Sequence, residues 1–261
     1  MNATSTVKAV VGVARDRNLT LLAAGFAYYA FASAIPLVVL FLIIGSIVGG
    51  EAFTSFVIEQ VGSFLSGSGE EVVQQALSSG AGRTGAGIVG FLLVLWSAIK
   101  VVRGLDVAFA EIYATTEDPS LLDQVRDGIV TLVGVVFAIA LMVAVGAVLR
   151  GAALSMLPYP NLVGALALLA GLTVGLLPIY YVLPETEMTV RRALPGAAFA
   201  AVGWLVLQFV FQAYLAGSGK YAAYGFLGAV LLFVTFLYFA GILLLVGTTL
   251  NYVLGPRPVR A

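Results

Sequence analysis

Gly241-Ile242-Leu243-Leu244-Leu245-Val246 is apolar at every position, and it lies inside a run from about Tyr224 to Leu254 that carries no charge. A strand facing water alternates polar with apolar residues. A helix facing water keeps a polar stripe. This run does neither, and it exceeds the roughly 20 residues a helix needs to cross the hydrocarbon core. Lipid is the solvent such a segment requires.

Five more runs repeat the pattern: Leu19 to Gly50, Ala86 to about Glu111, Gly128 to Leu149, Leu162 to Leu183, and Ala193 to Leu215. The second stays uncharged to Ile99 before it meets Lys100. Six spans, at about 19–50, 86–111, 128–149, 162–183, 193–215 and 224–254, make an all-α polytopic membrane protein; a membrane barrel would alternate in stretches of about 10 residues. Composition agrees. Of 261 residues 61% are hydrophobic and 10% charged, against roughly 25% charged in an ordinary soluble protein.

Topology follows from the basic residues. With the amino terminus in the cytoplasm, Lys8, Arg15, Arg17, Lys100, Arg103, Arg126, Arg191, Arg192, Arg257 and Arg260 lie inside, and Arg83, Arg150 and Lys220 outside. That bias is the one expected of a cytoplasmic membrane protein, and six spans return the carboxyl terminus to the cytoplasm. Residues 1–18 read as a cytoplasmic interfacial helix attracted to anionic headgroups, since Val7, Val10, Val11 and Ala14 alternate with Lys8, Arg15 and Arg17. The outer segment 51–83 repeats apolar residues at spacings of three and four, from Phe53 to Leu77, as amphipathic helices do. Asp118-Pro119 supplies an N-cap and first-turn proline before the third span. A cleavable leader is the rival reading of the first run, with Ala30-Phe31-Ala32 and Ala32-Ser33-Ala34 inside it. Cleavage there would leave an apolar stub too short to cross and would spoil the count of six. Residues 255–261 form a short tail.

The absent residue types narrow the chemistry. There is no cysteine and no histidine, which removes disulfides, thiolate nucleophiles, imidazole bases and nearly all zinc sites. Thirteen basic and thirteen acidic residues give net charge zero, so no positive excess holds a nucleic acid backbone. Gly217-Ser218-Gly219-Lys220 resembles part of a phosphate loop, but Tyr214 stands where its first glycine belongs and Tyr221 where a hydroxyl should ligate magnesium. Glu185 and Glu187 sit beside Arg191 and Arg192 and read as surface pairing. No set of nucleophile, base and orienting group is visible, so the chain is expected not to be an enzyme, with no catalytic, cofactor-binding or metal residues.

Polar residues inside the spans are costly, and they mark the candidate pathway. Lys100, Arg103 and Asp106 recur at steps of three on one broad face, with Arg103 able to pair with Asp106; they form either a polar site opening to the cytoplasm or a set that snorkels to the inner interface. Gln208 and Gln212 stand one turn apart in the fifth span, with Trp204 on the same stripe, placed to bond another helix or a solute. Pro36 interrupts the first span, with Ser33 three residues earlier, and Pro178 interrupts the fourth. Gly45 with Gly49 and Gly171 with Gly175 fit the small-residue packing pattern. Halves of three spans each would have inverted topology, although no internal repeat is visible.

Four stretches resemble one family: Ala23-Ala24-Gly25-Phe26-Ala27-Tyr28-Tyr29-Ala30 with Ser33 and Pro36; Leu95-Trp96-Ser97-Ala98 leading to Arg103; Ala193-Leu194-Pro195-Gly196-Ala197; and Tyr224-Gly225-Phe226-Leu227-Gly228-Ala229 with Asn251. Together, over about residues 19 to 254, they are similar to the YihY/BrkB family of multi-pass membrane proteins. The resemblance implies six helices in the cytoplasmic membrane. It also carries an older label of tRNA-processing ribonuclease, against which the balanced charge and missing histidine argue, and a suggestion of transport or export. Two departures stand out: Gly247-Thr248-Thr249 precedes Leu250-Asn251 where the family often has an acid, and Lys100 sits where small residues are usual.

The expected function is a transporter or export facilitator for a small or lipid-like solute. Its cavity would be lined by Lys100, Arg103, Asp106, Gln208, Gln212, Ser33 and Pro36. The competing class is a non-transporting scaffold in which the same groups only hold helices together. Partners are membrane lipids, the solute and, as a further expectation, copies of the same chain.

Overall fold

A computed structural model describes residues 2–34, 50, 103–115, 126, 128–129, 160–184, 186, 188–217 and 225–255. Among these residues the regular elements are all α-helices and there are no strands. We number the longer ones α1 (Ala3–Asp16), α2 (Leu19–Ala34), α3 (residues 103–113), α4 (Pro160–Val182), α5 (Val190–Gly217) and α6 (Gly225–Leu254). Two compact units contain them: residues 1–28 with 102–261, and residues 29–101. The last residues of α2 belong to the second unit, and Ser33 there is buried.

Helix ends follow from local chemistry. The carbonyl of Asn2 accepts the backbone N–H of Ser5 and of Thr6 and the Ser5 hydroxyl, which satisfies donors that the first turn of α1 leaves orphaned. Asn18, at φ 48°, turns the chain between α1 and α2; asparagine tolerates this left-handed conformation better than most residues. Its carbonyl then accepts from Leu21 and Leu22 and starts α2. Ala114, at φ 57°, ends α3, and the Thr115 N–H closes back on the Ala110 carbonyl.

Val163–Val182, Val190–Tyr214 and Val230–Leu254 are each long and apolar enough to cross a membrane. Their threonine hydroxyls are satisfied within their own helices: Thr173 donates to the Leu169 carbonyl at 2.8 Å, and Thr235 to Leu231 at 2.7 Å. A helix in lipid has no water to offer those groups, so the preceding turn takes them.

In the larger unit α4 packs against α5, α5 against α6, and α1 against α6. The α5–α6 pair is antiparallel, because Gly196 meets Asn251 at one end while Phe211 meets Phe236 further along. Small residues let these backbones approach. A Cβ added to Gly203 would lie 2.5 Å from Leu243 Cδ2, and one added to Gly241 would lie 2.8 Å from Phe26 Cδ1 and 3.2 Å from the Ala23 carbonyl of α2. Gly171 and Gly175, read from sequence as a packing pair, are both buried in α4.

The expected spans Leu162–Leu183, Ala193–Leu215 and Tyr224–Leu254 match α4, α5 and α6 to within three residues at each end. The proposed helices in segment 51–83, the Asp118-Pro119 turn, Pro36, Lys100, Glu185, Glu187 and most of the second and third spans lie outside the described residues.

Candidate functional site at one end of the bundle

Polar side chains gather where the carboxyl ends of α3, α4 and α6 meet the amino end of α5. Among the described residues Ser33, Asp106, Thr248, Thr249 and Asn251 are the buried polar or charged ones. All but Ser33 belong to the larger unit.

The geometry is built around Pro195-Gly196. Proline inside α5 has no N–H, so the rung from residue 195 to the Arg191 carbonyl cannot form. One position on, the Gly196 N–H donates to Asn251 Oδ1 at 2.7 Å, while Asn251 Nδ2 donates to the Ala193 carbonyl at 3.1 Å. A single amide from α6 thus meets a donor and an acceptor on the first turns of α5. Two stretches that carry the family resemblance, Ala193–Ala197 and Asn251, are physically joined.

Tyr180 completes the junction from α4. Its hydroxyl donates to the Leu244 carbonyl at 2.9 Å, and the same carbonyl accepts the Thr248 hydroxyl at 3.0 Å. Thr249 donates to the Leu245 carbonyl at 2.8 Å. Gly247 makes room for all of this: a Cβ there would lie 2.5 Å from the Tyr180 hydroxyl and 2.7 Å from the Gly196 carbonyl.

From α3 come Asp106, Phe109 and Tyr113, spaced three and four residues apart on one buried face. Phe109 lies 6.0 Å from Tyr180 between ring centroids, and Tyr113 meets Tyr252 edge-on at 5.6 Å. The Tyr113 hydroxyl has no hydrogen-bond partner among the described residues. Burial pushes its pKa above the ordinary tyrosine value, which keeps it a proton donor. Asp106 is 8% exposed, whereas Arg103, three residues earlier, is exposed, and no ion pair joins the two among the described residues. The charge pair anticipated on this helix face is therefore replaced by another one. Arg17, at the end of α1, binds Glu111 of α3, with Nη1 3.2 Å from Oε1.

The pathway residues expected in α5 sit elsewhere. Gln208 and Gln212 are exposed, as are their neighbours Phe209 and Val210, while Trp204 turns to Phe236 at 5.6 Å. The structure does not bring these glutamines together with Asp106. Tyr113 and Tyr180 were missed by sequence reasoning; their signal was a tyrosine near the carboxyl end of an otherwise apolar run.

Chemically, the junction offers a buried carboxylate and a phenol with spare donor capacity; the hydroxyls of Tyr180, Thr248 and Thr249 and the Asn251 amide are held by backbone groups. Among the described residues no three acidic side chains converge into a metal cage.

The family model described as Virulence factor BrkB matches residues 10–259. A ribonuclease-like protein of Bacillus subtilis, YfkH, is 26% identical over 202 residues, covering 72% of this chain and 72% of that protein. A UPF0761 membrane protein of Pseudoalteromonas translucida is 25% identical over 269 residues, covering 94% of this chain and 84% of that protein. No solved structure matches.

Proposed function

The chain belongs to the BrkB family of membrane proteins, and from that premise we propose that it crosses the cytoplasmic membrane six times and acts as a transporter or export facilitator for a small or lipid-like solute. On this reading it is not an enzyme, its termini face the cytoplasm, and its partners are lipids, the solute and other copies of the chain.

Contacts between distant residues support the six-span topology. Arg17 meets Glu111, Tyr113 meets Tyr252, Tyr180 meets Leu244, and Gly196 meets Asn251. Each pair brings together residues far apart in sequence near one end of the helices, which fits an even number of crossings in the chain between its members. Two crossings in each of 18–111, 113–180 and 196–251 satisfy all four contacts.

The observation that carries the transport reading is Asp106. An ionisable carboxylate that is 8% exposed, in a protein dissolved in lipid, is costly to keep and is most often retained along an ion or solute route. The Tyr113 hydroxyl lies two turns along the same face.

Reconstitution tests this. Vesicles containing the protein, a pH-sensitive dye in the lumen and a fluorescent phospholipid analogue in one leaflet should dissipate a pH gradient or equilibrate the analogue faster than protein-free vesicles. Asp106→Asn should slow that rate by about tenfold or more while leaving thermal unfolding in detergent near that of the parent. If the folded parent is no faster than empty vesicles in either assay, the scaffold role replaces this one.

A further inference from the structure

A second feature lies beside the junction, where α1 ends against α6. A cavity of about 370 Å³ is lined by Val13, Asp16, Arg17 and Tyr252. Two adjacent residues thus present a carboxylate and a guanidinium to one small space, with an aromatic ring and an aliphatic side chain beside them among the described residues.

Neither charge is used up by the fold. Arg17 gives one nitrogen to Glu111, but a guanidinium has five N–H donors in a planar fork, which matches two oxygens of a phosphate. Its side chain remains 32% exposed. Asp16 is exposed and has no ion-pair partner among the described residues. It is also the last residue of α1, where the helix dipole presents its negative end. The neighbourhood of Asp16 therefore favours a cation, and the Arg17 fork favours an anion.

We propose that this cavity binds a zwitterionic group in which an ammonium and a phosphate are joined by a short chain, the chemistry of phosphoethanolamine. The ammonium meets Asp16 and the face of Tyr252. The phosphate meets Arg17, and the linking methylenes lie along Val13. A purely anionic head meets repulsion from Asp16, and a purely cationic one meets repulsion from Arg17. Just along α1, exposed Val7 and Val11 stand beside exposed Lys8 and Arg15, a combination suited to an acyl-chain and headgroup boundary. The same chemistry could arrive on a membrane lipid or as free phosphoethanolamine. Binding here requires no transport activity.

The test uses the whole chain in detergent, titrated with short-chain phosphatidylethanolamine and short-chain phosphatidylglycerol, with binding read by thermophoresis. Phosphatidylethanolamine should bind about fivefold more tightly, the size expected for one exposed charge contact, and Asp16→Asn should abolish that preference. Asp16 makes no contact that folding depends on, and a thermal melt verifies that the variant is intact. Soluble phosphoethanolamine that displaces the lipid at similar concentration identifies the free solute as an occupant; displacement only at far higher concentration identifies the lipid. Equal binding of the two lipids, or a preference that survives Asp16→Asn, overturns the proposal.

Discussion

At the scale of single residues, Gly247 shows how little room the junction leaves. Its missing side chain is what allows the Tyr180 hydroxyl to reach α6, and the Gly196 carbonyl presses on the same spot. Gly247→Ala must displace both, and overpacking of this kind typically costs about 1–3 kcal/mol. Tyr180→Phe in the same chain removes the nearer obstacle but not the carbonyl. The double variant should therefore unfold in detergent at a temperature between those of Gly247→Ala and the parent. A double variant no more stable than the single one would mean that the Tyr180 contact is not what confines position 247. Thr249 makes a related point. The family resemblance often places an acid in this stretch, and here the fully buried Thr249 side chain spends its hydroxyl on the Leu245 carbonyl. No ionisable side chain remains at that position of α6.

At the scale of elements, the tie between α5 and α6 is the amide of Asn251. Asn251→Ala leaves the Gly196 N–H and the Ala193 carbonyl without it. An unsatisfied buried group costs about 1–3 kcal/mol in water-soluble proteins, whereas hydrogen bonds between membrane helices average about 0.6 kcal/mol. Because both lost bonds end on backbone that Pro195 has already deprived of one rung, we expect a loss near 2 kcal/mol, read by steric trapping or denaturant unfolding in micelles. An unchanged unfolding free energy would remove Asn251 from this role. The helices themselves were legible in the sequence, because an uncharged run long enough to cross lipid is a local property. Pro160–Val182 and Gly225–Leu254 follow such runs to within two residues. Their partners were less so. Tyr180 and Gly247 are joined by a side chain that reaches the backbone of a residue 67 positions away, and no periodicity within either helix announces it. Arg103 and Asp106 illustrate the reverse error: spacing of three puts two residues on neighbouring faces, but the boundary between buried and exposed falls between them.

At the scale of the whole molecule, the four long-range contacts gather toward one end of the helices. If the chain crosses six times, as proposed, both termini lie on that side. The chain has no cysteine, so single-cysteine variants at Thr4 and Val259 report without background. In inverted and right-side-out vesicles both positions should react with a membrane-impermeant maleimide from the same side, and reaction from opposite sides would refute an even number of spans. The Asn251 amide has one more consequence. Because it fills donor and acceptor positions on the turn that Pro195 interrupts, α5 cannot slip along α6 by even one residue without emptying both. A relative movement of the two helices that keeps both bonds is therefore a tilt about Gly196, a pivot near one end that parts the other ends like a pair of tongs.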